Sequence, residues 1–189
     1  MTAFAYYRLP YLHHAHYVAQ HEGEPEVLSS VAELNGKEGF VIAPFSPSGD
    51  CPVLLIHPDE SKLLPISDAK VISISDSTLG EDASDRDAYA GAFECFHQEL
   101  EKGTFRKIVL ARKATVRTAD KDFENLFMKA CRMYPRLFVS LVYTPQSGMW
   151  LMATPEILLK GEQGNMSTMS LAGTQKAEPS RTVADYPVE

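Results

Sequence analysis

Short apolar runs broken by proline, glycine and aspartate dominate this chain, and they restrict it to folds built on small β-strands. In the first 80 residues such runs alternate with turn-forming residues, which predicts strands joined by tight turns. The strands are expected at residues 39–45, 52–57 and 70–75. No apolar run approaches the roughly 20 residues of a bilayer-spanning helix, and no signal peptide is expected at the N-terminus.

Two stretches carry helical periodicity instead. The first starts at Ser84, a good N-cap, and stops at Gly103, a residue that typically follows a helix. The second runs from about Asp122 to Met133, and Pro135 stops it. Apolar residues at helical spacing form one stripe on each: Tyr89, Ala92, Phe93, Phe96 and Leu100 on the first, and Phe123, Leu126, Phe127 and Ala130 on the second.

Further strands are expected around the second helix. One covers residues 105–116, and a β-meander follows the helix. The sequence therefore predicts an α+β fold with a mostly antiparallel sheet and two or more packed helices. We expect a variable β-rich part at residues 1–80 and a core at 81–189. The meander strands are predicted at 137–143, 149–153, 156–160 and 165–169, with turns at 145–148 and 161–164.

Charge and cysteine content narrow the function classes. The formal net charge of −7 argues against non-specific nucleic-acid binding, which needs basic surface, but it leaves room for a small anionic ligand. The three cysteines are an odd number and lack the spacing of a metal knuckle, which makes a reducing cytoplasm the simplest interpretation.

The first candidate site lies in the predicted strand at 105–116. By alternation, Lys107 shares a face with Val109 and Ala111, whereas Arg106, Ile108 and Leu110 share the other. A desolvated lysine can act as a base. The alternative is a lysine near a strand end whose ammonium group reaches solvent.

The second candidate is Glu156, which enters an otherwise apolar stretch directly after Pro155. A carboxyl in an apolar site can serve as a general acid, although a turn residue at an exposed strand start would look the same. The third candidate is the small-residue turn at 170–174, whose backbone N–H groups could approach an anion or could form a plain β-turn.

A histidine cluster near the N-terminus fits either a metal site or ordinary surface and packing roles. Its members are His13, His14, His16 and His21, and no carboxylate or cysteine completes a familiar ligand spacing.

Together, the three candidate sites resemble the chorismate-utilising enzymes. The motifs are Lys-Ile-Val-Leu-Ala-Arg at 107–112, Ala-Thr-Pro-Glu-Ile-Leu-Leu at 153–159 and Leu-Ala-Gly-Thr at 171–174. This family includes isochorismate synthase, salicylate synthase, the large subunit of anthranilate synthase and aminodeoxychorismate synthase. The resemblance implies the N-terminal half of an αββα fold, with chorismate as the substrate.

Two positions within these motifs separate the subfamilies. Family members that add water to the chorismate ring carry a lysine where Lys107 stands, and anthranilate synthases usually carry glutamine there. Aminodeoxychorismate synthases carry a nucleophilic lysine at the position of Ala172. The resemblance therefore implies isochorismate synthase, or salicylate synthase, which forms isochorismate on its way to salicylate.

The resemblance also implies a role for each residue. Lys107 would activate water for attack at C2 of chorismate, and Glu156 would protonate the departing C4 hydroxyl. Leu171, Ala172, Gly173 and Thr174 would position the substrate.

A Mg²⁺ ion would hold the ring carboxylate in such an enzyme, with ligands after the Leu-Ala-Gly-Thr motif. We therefore expect no metal ligands within these 189 residues, and an N-terminal half that pairs with itself or with a separate C-terminal half. The alternative is a non-catalytic domain that self-associates or binds a small carboxylate.

Overall fold

The computed structural model describes residues 1–66, 83–113, 122–157, 159–162 and 164–169. The chain divides into two compact units, one made of Met1–Asp68 with Phe123–Glu189 and the other of Ala69–Asp122. Neither of the helices in these described ranges is long and apolar enough to cross a membrane.

The first unit contains the strands and one helix, α2 (Phe123–Met133). The second unit contains α1 (Ala83–Glu101), and a short 3₁₀ helix at Val31–Leu34 belongs to the first. The strands are β1 (Ala3–Arg8), β2 (His14–Gln20), β3 (Glu26–Leu28), β4 (Phe40–Ile42), β5 (Val53–Ile56), β6 (Glu60–Pro65), β7 (Phe138–Thr144), β8 (Gly148–Thr154), β9 (Lys160–Glu162) and β10 (Asn165–Ser167).

A five-stranded antiparallel sheet organises the first unit, in the order β6-β2-β1-β7-β8. The strands β3-β5-β4 form a smaller antiparallel sheet, and β9 and β10 form a hairpin. The predicted α+β class with a mostly antiparallel sheet is therefore confirmed. The division expected at residue 80 stays a prediction, although β1 pairs with β7 and the large sheet thus combines strands from both sides of it.

Each face of the large sheet is covered by a different layer. On one face, Phe127 and Cys131 of α2 pack against Ala15, Val139 and Leu141. On the other face, Ile56 of the small sheet joins a core with the following sheet residues: Ala3, Ala5, Val18 and Val142. The alternation of alanine with larger residues in β1 suits this arrangement, because small side chains leave room for a second sheet.

Most of the predicted elements are confirmed. The strands expected at 39–45, 52–57, 137–143, 149–153 and 165–169 correspond to β4, β5, β7, β8 and β10. Both helices are present, while the strand expected at 70–75 lies outside the described residues. The sequence analysis did not assign β1 and β2.

Two predicted strands are wrong over the residues that the structure describes. Residues 105–113 form no strand, and the described residues between β8 and β9, 155–157 and 159, form none either. A strand requires a hydrogen-bonded neighbour as well as a suitable sequence, and residues 105–113 pair with none of the described strands. At 155–157, Pro155 and the bond from the Glu156 N–H to Thr154 Oγ1 (3.2 Å) form a bend.

The ends of α1 differ in how well they were predicted. The helix begins at Ala83, so Ser84 lies inside it and not at its N-cap. At the other end Gly103 has φ +72°, and the Thr104 N–H donates to the Glu99 carbonyl (3.1 Å). This is a Schellman C-cap, and it confirms the role expected of Gly103.

A buried arginine fixes the end of α2 to the sheet. Arg8, the last residue of β1, is 1% exposed and donates to the carbonyls of Cys131, Tyr134 and Pro135. These carbonyls end the helix and the turn after it, where no intrahelical donor remains and the helix dipole is negative. The guanidinium therefore satisfies several acceptors and places its charge where the helix favours it.

We predict that Arg8→Met lowers the free energy of unfolding by about 2 to 5 kcal/mol, because the change removes three hydrogen bonds and leaves the buried Cys131 carbonyl without a donor. Urea denaturation followed by circular dichroism measures this loss. Arg136→Met is the matched control, since Arg136 is exposed and its loss should have almost no effect. Equal stability of the two variants would contradict the capping role of Arg8.

Candidate functional site

Lys107 lies in the irregular segment that follows α1, within the second unit. Its side chain is exposed, as are those of Val109 and Ala111, while Ile108 and Leu110 are half-buried. The alternation predicted from the sequence is thus present in the burial pattern, although the strand is not. Lys107 is accessible to a ligand, and the described residues do not enclose it.

Glu156 lies in the first unit, in the bend after β8. Its carboxylate side chain is exposed, and its backbone N–H is held by Thr154 Oγ1. The strand that leads to it carries Trp150, whose indole N–H donates to the Ser147 carbonyl (2.7 Å). The backbone of Glu156 is therefore anchored at the end of a sheet strand, and the acid projects from a defined position.

A backbone hydrogen bond connects this bend to the third candidate segment. The Met169 N–H donates to the Ile157 carbonyl (3.0 Å), and the β9-β10 hairpin lies between these two residues in sequence. Residue 169 is thereby brought next to the neighbour of Glu156. Residues 170–174, including Leu171, Ala172, Gly173 and Thr174, lie outside the described residues.

The structure therefore brings together the Glu156 bend and the residue that leads into the predicted substrate loop. Lys107 belongs to the other unit, and each unit is described by itself. The roles assigned to Lys107, Glu156 and residues 171–174 stay predictions.

The described part of the chain contains no set of side chains suited to the Mg²⁺ ion that the family resemblance implies. No group of three or more His, Cys, Asp or Glu side chains there could hold a metal ion. Mg²⁺ prefers several oxygen ligands, and neither Lys107 nor the backbone around Met169 supplies a set of carboxylates.

The histidine cluster separates into different environments. His14 and His16 lie on β2, while His21 pairs with Glu60 (Nε2 to Oε2, 2.8 Å) and His13 lines a pocket. Lys62, with His21 adding to its effect, holds the pKa of Glu60 below its ordinary value, which favours the carboxylate form that His21 contacts.

A pocket of about 310 Å³, not expected from the sequence, lies beside the end of α2. Its lining includes Arg8, His13, Cys131 and Arg132. Nothing in the sequence singled out Arg8, because β1 was not expected, and the pairing of β1 inside the sheet buries it. The burial of Arg8 depends on the position of β1 in the sheet, and that position is set by pairing with strands that are distant in sequence.

The thiol of Cys131 is buried in this region, and burial raises its pKa above the ordinary value. A raised pKa means that less thiolate is present at any pH below it. Cys51 and Cys95 are free and exposed.

We predict that a thiol-specific chromogenic reagent at neutral pH labels Cys51 and Cys95 rapidly, and labels Cys131 only after unfolding in urea. Rapid labelling of all three thiols in the folded chain would contradict this environment.

Comparison with known proteins identifies one protein family. The profile described as "Chorismate binding enzyme" matches residues 58–185. The match covers more than half of the chain and contains Lys107, Glu156 and residues 171–174. The searches of curated proteins and of solved structures gave no match.

Proposed function

The chain belongs to the chorismate-binding enzyme family, and from this membership we propose that it converts chorismate to isochorismate. The observation that carries the proposal is the extent of the family match, which includes all three motifs in one range. Lys107 stands where the family members that add water to the chorismate ring carry lysine. This residue therefore favours addition of water to the ring. Ala172 argues against an enzyme that attacks the ring with a side-chain amine, because alanine has no nucleophile.

In the proposed reaction Lys107 accepts a proton from water as the water oxygen bonds to C2 of chorismate. Both double bonds of the ring shift by one position, the C4–O bond breaks, and Glu156 donates a proton to the departing hydroxyl. One water enters and one water leaves, so atoms and charge balance. Afterwards Lys107 carries an extra proton and Glu156 lacks one, and both exposed side chains can restore their states by exchange with solvent.

The exposure of both side chains adds a requirement to the proposal. A lysine base and a carboxylic acid work only when their uncharged forms are populated, and this is favoured by exclusion of water. The proposal therefore requires that bound chorismate shield Lys107 and Glu156. Mg²⁺ is part of the proposal as the cofactor whose positive charge would bind the substrate carboxylate.

We expect Lys107→Ala to lower the rate of isochorismate formation by about 100-fold or more, since general base catalysis typically contributes this much. Chromatographic separation of the products from chorismate measures the rate. Lys113→Ala is the matched control, because Lys113 is also exposed and lies in the same segment. Unchanged activity of Lys107→Ala would remove Lys107 from the role of base.

Glu156→Gln keeps the size of the side chain and removes the proton donor. We predict a similar loss in turnover number with little change in KM, because the donated proton stabilises the transition state and not the bound substrate. Glu38→Gln, at another exposed position, controls for the loss of one negative charge. A loss confined to KM would show that Glu156 binds substrate and does not act as the acid.

Salicylate synthase activity is the competing hypothesis, and the second product distinguishes it. Formation of salicylate from isochorismate releases pyruvate, whereas isochorismate formation does not. Pyruvate is measured with a coupled lactate dehydrogenase assay. Isochorismate that accumulates without pyruvate supports the proposed reaction, and pyruvate formed in step with chorismate consumption contradicts it.

A further inference from the structure

Two histidines, His14 and His16, stand side by side on β2. His14 and His16 are two positions apart, so their side chains project from the same face of the strand. That face is opposite to Ala15, which packs under α2. Both rings are half-buried.

The spacing of the two rings fits chelation of one metal ion. Their centroids lie 5.4 Å apart with an interplanar angle of 63°. Two imidazoles on a tetrahedral ion with metal–nitrogen bonds of about 2.05 Å would have ring centroids about 5.2 Å apart. The strand therefore already holds the two rings at nearly the separation that a shared ion needs.

The surroundings leave the ring nitrogens available. Tyr7 stacks on the face of His16, with centroids 4.8 Å apart and planes 7° from parallel, so this contact is made with the ring face and not with the ring edge. In the described part of the chain no hydrogen bond is made by a ring nitrogen of His14 or His16.

The residues directly opposite on the neighbouring strands are uncharged. Tyr7 of β1 and Leu63 of β6 face His16, and Pro65 faces His14. Nothing in this set repels a cation, and nothing supplies the carboxylate oxygens that Mg²⁺ prefers. A cation held here would therefore be one that imidazole binds well.

We propose that His14 and His16 form a bidentate site for a divalent transition-metal ion of the zinc, nickel and copper class, with water completing the coordination. This site is independent of the proposed function. It differs from the Mg²⁺ requirement of the chorismate reaction in its ligands and in the ion that it selects.

Isothermal titration of the full chain with Ni²⁺ at neutral pH tests the proposal. We expect binding at one site, and we expect His14→Asn to weaken it by about 100-fold, because loss of one ligand turns a bidentate site into a monodentate one. His13→Asn is the matched control, since His13 is adjacent in sequence but lies before β2. Its affinity should equal that of the unmodified chain. Mg²⁺ should not compete with Ni²⁺.

Equal Ni²⁺ affinity of His14→Asn and the unmodified chain would overturn the proposal, as would an equal loss in His13→Asn. Circular dichroism establishes that the variants are folded. If His14→Asn does not fold, electron paramagnetic resonance of Cu²⁺ bound to the unmodified chain decides the question. Hyperfine structure from two imidazole nitrogens is expected, and structure from one nitrogen would overturn the proposal.

Discussion

The buried guanidinium of Arg8 is the interaction on which the packing of helix α2 on the sheet depends. A buried charge is costly unless it is paired and hydrogen-bonded. Here the partners are three carbonyls at the end of the helix and in the turn after it. One of them, the Cys131 carbonyl, has Pro135 at the i+4 position, and proline has no N–H to donate. The last residue of β1, a strand bonded on both sides, is thus tied to the last turn of α2. This contact determines where Phe127 and Cys131 meet the sheet.

Elements that depend on neighbouring residues were predicted correctly from the sequence. The β7-β8 hairpin was predictable because its signals are local. Apolar runs flank a turn in which the Ser147 N–H donates to Thr144 Oγ1 (2.9 Å) and Gly148 has φ +72°. Helix α1 was predictable for the same reason. Gly103, which follows the helix, lies close in sequence to the helix carbonyl that accepts its N–H.

The errors concern pairing between distant parts of the chain. Residues 105–113 have an apolar pattern that suits a strand, but pairing depends on a neighbour that the pattern does not specify. The central strand β1 went unassigned, although β2 and β7 both bond to it. The burial of Arg8 follows from that central position, and therefore it could not be predicted from the residues around it.

The candidate site combines both kinds of information. The order of the three motifs was readable from the sequence, and the family match covers the same range. The structure adds the bond between Ile157 and Met169, which joins the Glu156 bend to the start of the predicted substrate loop. Under the proposed function, the exposed Glu156 side chain on its anchored backbone suits a substrate that itself completes the enclosure. In that arrangement the sheet provides position, and the ligand provides the exclusion of water.

The most direct test of the proposed function is to follow an oxygen atom from labelled water into the product. The folded 189-residue chain is incubated with chorismate and Mg²⁺ in water enriched in ¹⁸O, and the products are analysed by mass spectrometry. The proposed attack of water at C2 predicts isochorismate that carries one ¹⁸O at its ring hydroxyl. Isochorismate without the label, or no turnover by a chain shown to be folded, would contradict the proposal that this chain activates water for ring hydroxylation.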